Sequence, residues 1–297
     1  MGFGMPYVEY LAWRGYIKKP KTRILDIGSQ NLYHATPEAI RRFVEEYGHI
    51  DDEQAFHEEA KRLSYFSWPR PGERTSYLSE LFDLTPLIEY TSYDVCPALK
   101  TEIFDLNVES LPEPYREYFD IVLNFGTTEH IIHQLNCLKV MHEAVAVGGI
   151  AFHQVPTIGW LNHGYFCYHM TLFNDLAKVN DYELVDCWYN LAGQHELAGE
   201  DVDIRNAENP HEPRNAQIQP CQTRIPSYNL NVVMRKRSSR PFAVTLELAT
   251  SHSALSETVS LRYGNTRPDL TAVPGRALAK ELAHRVKRRV VRALGLA

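Results

Sequence analysis

Cysteine is scarce. There are five in 297 residues, at 96, 137, 167, 187 and 221, and no two form a C-x-x-C pair. An odd count without close pairs suggests neither a disulfide framework nor a thiolate zinc site, and it reads as reduced thiols in a cytoplasmic protein. No apolar run approaches the roughly 20 residues that span a bilayer. The opening MGFGMPYVEY carries an acid and aromatics where a secretion signal would need an apolar core. Positive charge is also short, with 31 Lys and Arg against 37 Asp and Glu for a net −6, which argues against a nucleic-acid-binding body. The first apolar strand runs into Gly28-Ser29-Gln30-Asn31, not into G-x-G-x-x-G, so a nicotinamide-dependent oxidoreductase is disfavoured. There is no internal repeat and no low-complexity tract.

What is present is ordinary globular material, 44% hydrophobic and 23% charged, in a chain long enough for a substantial core. Short apolar runs alternate with helical patterns. Strands are predicted over 23–28, 88–95, 102–106, 119–125, 150–155, 182–188 and 229–234. Helices are predicted over 7–17, 37–47, 52–66, 76–83, 128–145 and 173–180. The 37–47 segment is the clearest, with Thr36 as cap, Pro37 in the first turn and Ala39, Ile40, Phe43, Val44 and Tyr47 on one face. Alternation of this kind implies an α/β fold with a doubly wound, mostly parallel sheet and ligands beyond the strands' carboxyl ends. Residues 193–226 read as a long polar loop, and 276–294 as a basic amphipathic helix. A main domain is expected over 1–237 and an extension over 238–297.

The strand ends carry the candidate chemistry. They present Asp26, Gly28, Ser29 and Gln30, then Asp94, then Asp105 with Leu106, then Asn124, Phe125 and Gly126. With these residues the stretch over about 20–236 resembles class I S-adenosylmethionine (SAM)-dependent methyltransferases. The segment 23–29 resembles their glycine turn, Tyr93-Asp94 their ribose-holding acid, and Phe104-Asp105-Leu106 the segment beside adenine. FDIVLNFGTTEH (119–130) and 148–156 are similar to their fourth and fifth motifs. Asn162-His163-Gly164-Tyr165-Phe166 with the helix after it resembles a subgroup found with bacterial sugar and polysaccharide pathways. The resemblance implies a Rossmann-like seven-stranded sheet, SAM as cofactor, and ten cofactor residues: Asp26, Gly28, Ser29, Gln30, Asp94, Asp105, Leu106, Asn124, Phe125 and Gly126. The glycine turn departs from the family in having Gly28 alone. The chain over 33–73 reads as an inserted helical segment.

Oxygen acceptors need a proton removed, and histidine suits that near neutral pH. His153, at the end of a strand, and His163, in the loop after it, are the expected catalytic bases. His130 and His133 are expected to share a helix face beside Glu129, but the set is one ligand short and no metal site is assigned. From Arg276 onward there are seven Lys and Arg and one acid. This tail fits either an anionic membrane surface or packing on the acidic body or a partner subunit. The expected activity is O-methylation of a small or carbohydrate-like acceptor. A non-catalytic SAM-fold binding protein and a nucleic-acid methyltransferase stand as alternatives, and homo-oligomerisation is left open.

Overall fold

A computed structural model describes residues 2–18, 20–64, 76–160, 163–191 and 227–245. In chain order the elements are β1 (Gly2–Gly4), α1 (Met5–Trp13), β2 (Thr22–Ile27), β3 (Asn31–Tyr33), α2 (Pro37–Tyr47), α3 (Glu53–Ser64), α4 (Leu78–Asp83), β4 (Ile88–Asp94) and β5 (Thr101–Ile103). They continue with β6 (Phe119–Phe125), α5 (Gln134–Ala144), β7 (Val145–Ile158), α6 (Met170–Val179), β8 (Tyr182–Leu191) and β9 (Tyr228–Lys236). Seven strands form one sheet in the order β5-β4-β2-β6-β7-β9-β8. Every pairing is parallel except those of β9, which runs antiparallel to both β7 and β8. The fold is Rossmann-like, as expected. A small parallel pair, β1 with β3, stands apart from it.

Alternation along the strands divides the core into layers. On one face Ile24, Ile121, Leu123 and Phe152 pack with residues of α1, α2, α3 and α4. On the other, Leu25, Ile27, Tyr93 and Val122 pack under α5, while Val155, Val232 and Met234 pack under α6. Both faces are therefore covered, which is why the strands read as continuous apolar runs in the sequence. Helix α2 forms as predicted. Thr36 Oγ1 accepts the Ala39 N–H at 3.2 Å, and the five expected residues are buried. A cap of this kind contributes about 1 kcal/mol.

One buried charge ties the antiparallel strand in. Lys236, only 2% exposed, donates from Nζ to the carbonyls of His142 (2.8 Å) and Val145 (3.1 Å) and pairs with Glu117 at 3.0 Å. Beyond β9 the chain folds back onto α5 and α6. There Ala243 and Asn180 exchange hydrogen bonds, and His142 Nε2 donates to the Arg240 carbonyl at 2.7 Å.

Three elements differ from expectation. The helix expected over 128–145 is a single 3-10 turn, Thr128–His130, followed after an extended Ile131 by α5. Strand β7 begins at Val145, upstream of the two glycines expected to separate helix from strand. The pair β1 and β3 was not expected. The 193–226 loop and the basic helix at 276–294 lie outside the described residues.

Candidate active site

Strand order reverses between β2 and β6, and in open α/β sheets ligands bind at such a switch point, beyond the carboxyl ends. Two turns meet there. Gly28 has φ of +101°, and its N–H continues the ladder to the Tyr93 carbonyl at 2.8 Å. A β-carbon on Gly28 would lie 2.2 Å from Thr127 Oγ1 in the turn after β6, so no side chain fits. The Ser29 N–H donates to Asp94 Oδ2 at 3.0 Å, and the Cys96 N–H donates to Asp94 Oδ1 at 2.9 Å. Asp94 thereby clasps the β2 turn from the neighbouring strand. The first helix after β2, α2, begins only at Pro37, with β3 between, so the Gly28 turn does not open into a helix N-terminus.

The expected residues separate into two groups. Ser29, Asp94 and Gly126 are partly exposed around these turns with Gly28 beneath them, and Asp105, also partly exposed, follows the edge strand β5. Asp105 Oδ1 accepts the Asn107 N–H at 2.8 Å, closing the turn that follows β5. The side chains of Asp26, Gln30, Leu106, Asn124 and Phe125 are buried beneath the turns. Asp26 accepts from the Tyr90 hydroxyl at 2.7 Å. Burial pushes its carboxyl well above the usual carboxylate range. Gln30 lies 3.4 Å from Thr127 Oγ1. Leu106 packs under α5, and Phe125 packs on Phe3 and Phe152.

His153 requires the largest correction. It faces the α5–α6 layer and is 1% exposed, with its ring against Phe173. Asn124 Nδ2 donates to its Nδ1 at 3.2 Å, which leaves the proton on Nε2, where no partner lies among the described residues. Burial lowers its pKa to about 3. A neutral imidazole sealed under a sheet cannot collect an acceptor's proton. Strand position alone marked it as a base; the pleat turned it inward.

His163 lies in the loop after β7, close to Glu129 and His130. The turn after β6 is held rigidly: Asn124 Nδ2 donates to Thr128 Oγ1 (2.9 Å), and Gln134 Nε2 donates to the carbonyls of Thr128 (2.6 Å) and Ile131 (2.5 Å). The loop after β7 is fastened to this turn. The N–H groups of Tyr165 (2.7 Å) and Phe166 (3.3 Å) both reach the Glu129 carbonyl. Gly164, at φ +66°, sits where a β-carbon would be 2.9 Å from that same oxygen. The result brings His163 Nε2 within 3.5 Å of Glu129 Oε1 and its ring within 4.8 Å of the His130 ring. His133 is not part of the group, because its Nδ1 bonds the Asn107 carbonyl at 2.7 Å. His130 and His133, expected to share a helix face, are parted because the 3-10 turn ends at His130 and α5 starts only at Gln134.

No protein-family model matches the chain, and no curated protein matches it by sequence. Solved structures resemble it at low identity. TehB from Haemophilus influenzae is 12% identical over 77% of this chain and 62% of its own, with a TM-score of 0.38, so the chain spans less than two thirds of TehB. A SAM-dependent methyltransferase from Mesorhizobium loti is 14% identical over 77% of this chain and 97% of its own, with a TM-score of 0.32. Phosphoethanolamine N-methyltransferase 2 of Haemonchus contortus, solved with SAM, is 12% identical over 78% of this chain and 53% of its own, with a TM-score of 0.37. Among the described residues no helix is long and apolar enough to cross a membrane.

Proposed function

We propose that the chain is a SAM-dependent methyltransferase acting on an oxygen of a small or carbohydrate-like acceptor. The observation that carries this reading is the chemistry of the switch point. A tight glycine turn is clasped by Asp94, Glu129 follows the facing turn after β6, and among the described residues the Gly28 turn does not open into a helix. A dinucleotide's pyrophosphate would want that helix end. A cationic sulfonium with a ribose diol wants carboxylates instead.

The residues present fit such a cofactor. Each Asp94 oxygen takes one backbone N–H and keeps a lone pair for a hydroxyl. Val95, directly after it, is 62% exposed and offers an uncovered apolar surface for a flat base. When bound, SAM would supply a methyl group on a good leaving group. The chain's own work is then positioning and proton removal. Asp94 and the Ser29 turn would hold the ribose side, and Gly28 keeps the β2 and β6 turns in contact. The acid–base groups at the acceptor side are Glu129, His130 and His163.

Calorimetric titration of the purified full chain with SAM and with its demethylated product tests the reading. Wild type should bind both, and Asp94→Ala should weaken binding at least tenfold, equivalent to about 1.4 kcal/mol. Absence of binding by wild type, with or without added Mg²⁺, refutes it.

A further inference from the structure

We infer that Glu129, His130 and His163 form a binding site for a divalent transition-metal cation. One ligand atom from each residue lies within 4.8 Å of the others. This spread is a little wider than a closed coordination sphere, with His163 Nε2 and Glu129 Oε1 already 3.5 Å apart. Two imidazoles and one carboxylate are the donor set of open divalent sites of the Zn²⁺ and Fe²⁺ type, and imidazole selects against Mg²⁺.

Three observations show that the group is built. Glu129 is 1% exposed, and its Oε2 has no hydrogen-bond partner among the described residues. A carboxylate oxygen left bare in the interior is expensive unless something positive completes it. His163 is only partly exposed and is steadied by the Trp160 ring at 4.6 Å, and Trp160 is itself fixed by donating to the Tyr228 carbonyl at 2.9 Å. Finally, the loop that carries His163 is laced to the backbone of Glu129 by two N–H groups and by the close approach of Gly164. The ligand from the loop after β7 is thus held to the ligands from the turn after β6 by the main chain, as preorganised metal sites require.

The site sits beside the Gly28–Thr127 contact, at the carboxyl end of β6. Three protein ligands leave coordination positions open. If the methyl-transfer reading holds, His163 serves as a ligand, and acidifying an acceptor hydroxyl passes from the imidazole to the cation.

The test is Mn²⁺ titration of the EDTA-treated full chain without SAM, followed by electron paramagnetic resonance. We expect one site per chain, displaced by Zn²⁺ and not by Mg²⁺, with nitrogen couplings from imidazole in the pulsed spectrum. Glu129→Gln and His163→Ala should each weaken binding about tenfold or more, while His133→Ala should leave it unchanged. His163→Ala serves even if Glu129→Gln fails to fold. Wild type without a stoichiometric site, binding undiminished in His163→Ala, or a bound ion lacking nitrogen couplings each overturns the inference. Because SAM is absent, failure here leaves the cofactor titration standing, and the reverse also holds.

Discussion

Replacing Gly28 by alanine attacks the contact on which the switch point rests. Two separate penalties follow from the geometry. A backbone φ of +101° is disfavoured for an L-residue and adds about 1–3 kcal/mol of strain. The new β-carbon would lie 2.2 Å from Thr127 Oγ1 and 3.2 Å from Thr127 Cβ, and overpacking of that kind adds about 1–3 kcal/mol. Together they predict a loss of about 2–6 kcal/mol, read as a fall in urea midpoint at constant slope. A second substitution separates the two. Thr127→Ala removes the hydroxyl at 2.2 Å but leaves the β-carbon at 3.2 Å and the backbone angle untouched. In a double-mutant cycle Gly28→Ala and Thr127→Ala should therefore couple favourably by about 1–2 kcal/mol, with the remaining deficit persisting. A Gly28→Ala protein within about 0.5 kcal/mol of wild type would refute the account, as would strictly additive effects.

Three other outcomes are expected. His153 has its pKa lowered to about 3 by burial, against about 6.5 in the unfolded chain. Its contribution is therefore present above pH 6.5 and lost as pH falls toward 3, at about 1.4 kcal/mol per pH unit. His153→Leu should flatten the acid limb of a stability–pH profile by that slope, and an unchanged limb counts against the buried neutral imidazole. Lys236→Met strands two carbonyls that now share one ammonium and should destabilise by about 2–3 kcal/mol in chemical denaturation. A neutral result would mean that water replaces it. Gly164→Ala pushes the His163 loop off the Glu129 carbonyl, so Mn²⁺ affinity should fall with a loss of about 1–3 kcal/mol in stability; unchanged affinity would separate the loop anchor from the cation site.

The sheet was legible because its information is local. FDIVLNF predicts β6 residue for residue, and Thr36-Pro37 marks the start of α2. The helix after β6 was misread for a physical reason. Gln134 donates its side chain to the carbonyls of Thr128 and Ile131, so those groups are satisfied without a continuing helix. The pair β1 and β3 is three residues on each strand, and pieces that short carry no period. At the site, Gly28 and Asp94 follow from strand ends. His153 shows the limit of that rule, since which way a strand residue points depends on the register of the whole sheet. The meeting of Glu129 with His163 depends on a loop returning to a turn, and spacing in the sequence does not encode it.

The antiparallel strand has a consequence for how the molecule is made. β9 lies between β7 and β8 in the sheet, yet it is the last of the seven in the chain. A ribosome that has released β8 has delivered two strands that are not neighbours in the finished sheet, each still without its β9 partner. The nascent chain must carry both open edges until residues 228–236 emerge and slot between them. Closure of the sheet is then a late, long-range event of the kind that slows folding and exposes a chain to self-association. Arrest of synthesis just short of β9 should yield a chaperone-dependent intermediate, and its completion should coincide with burial of the Lys236 ammonium.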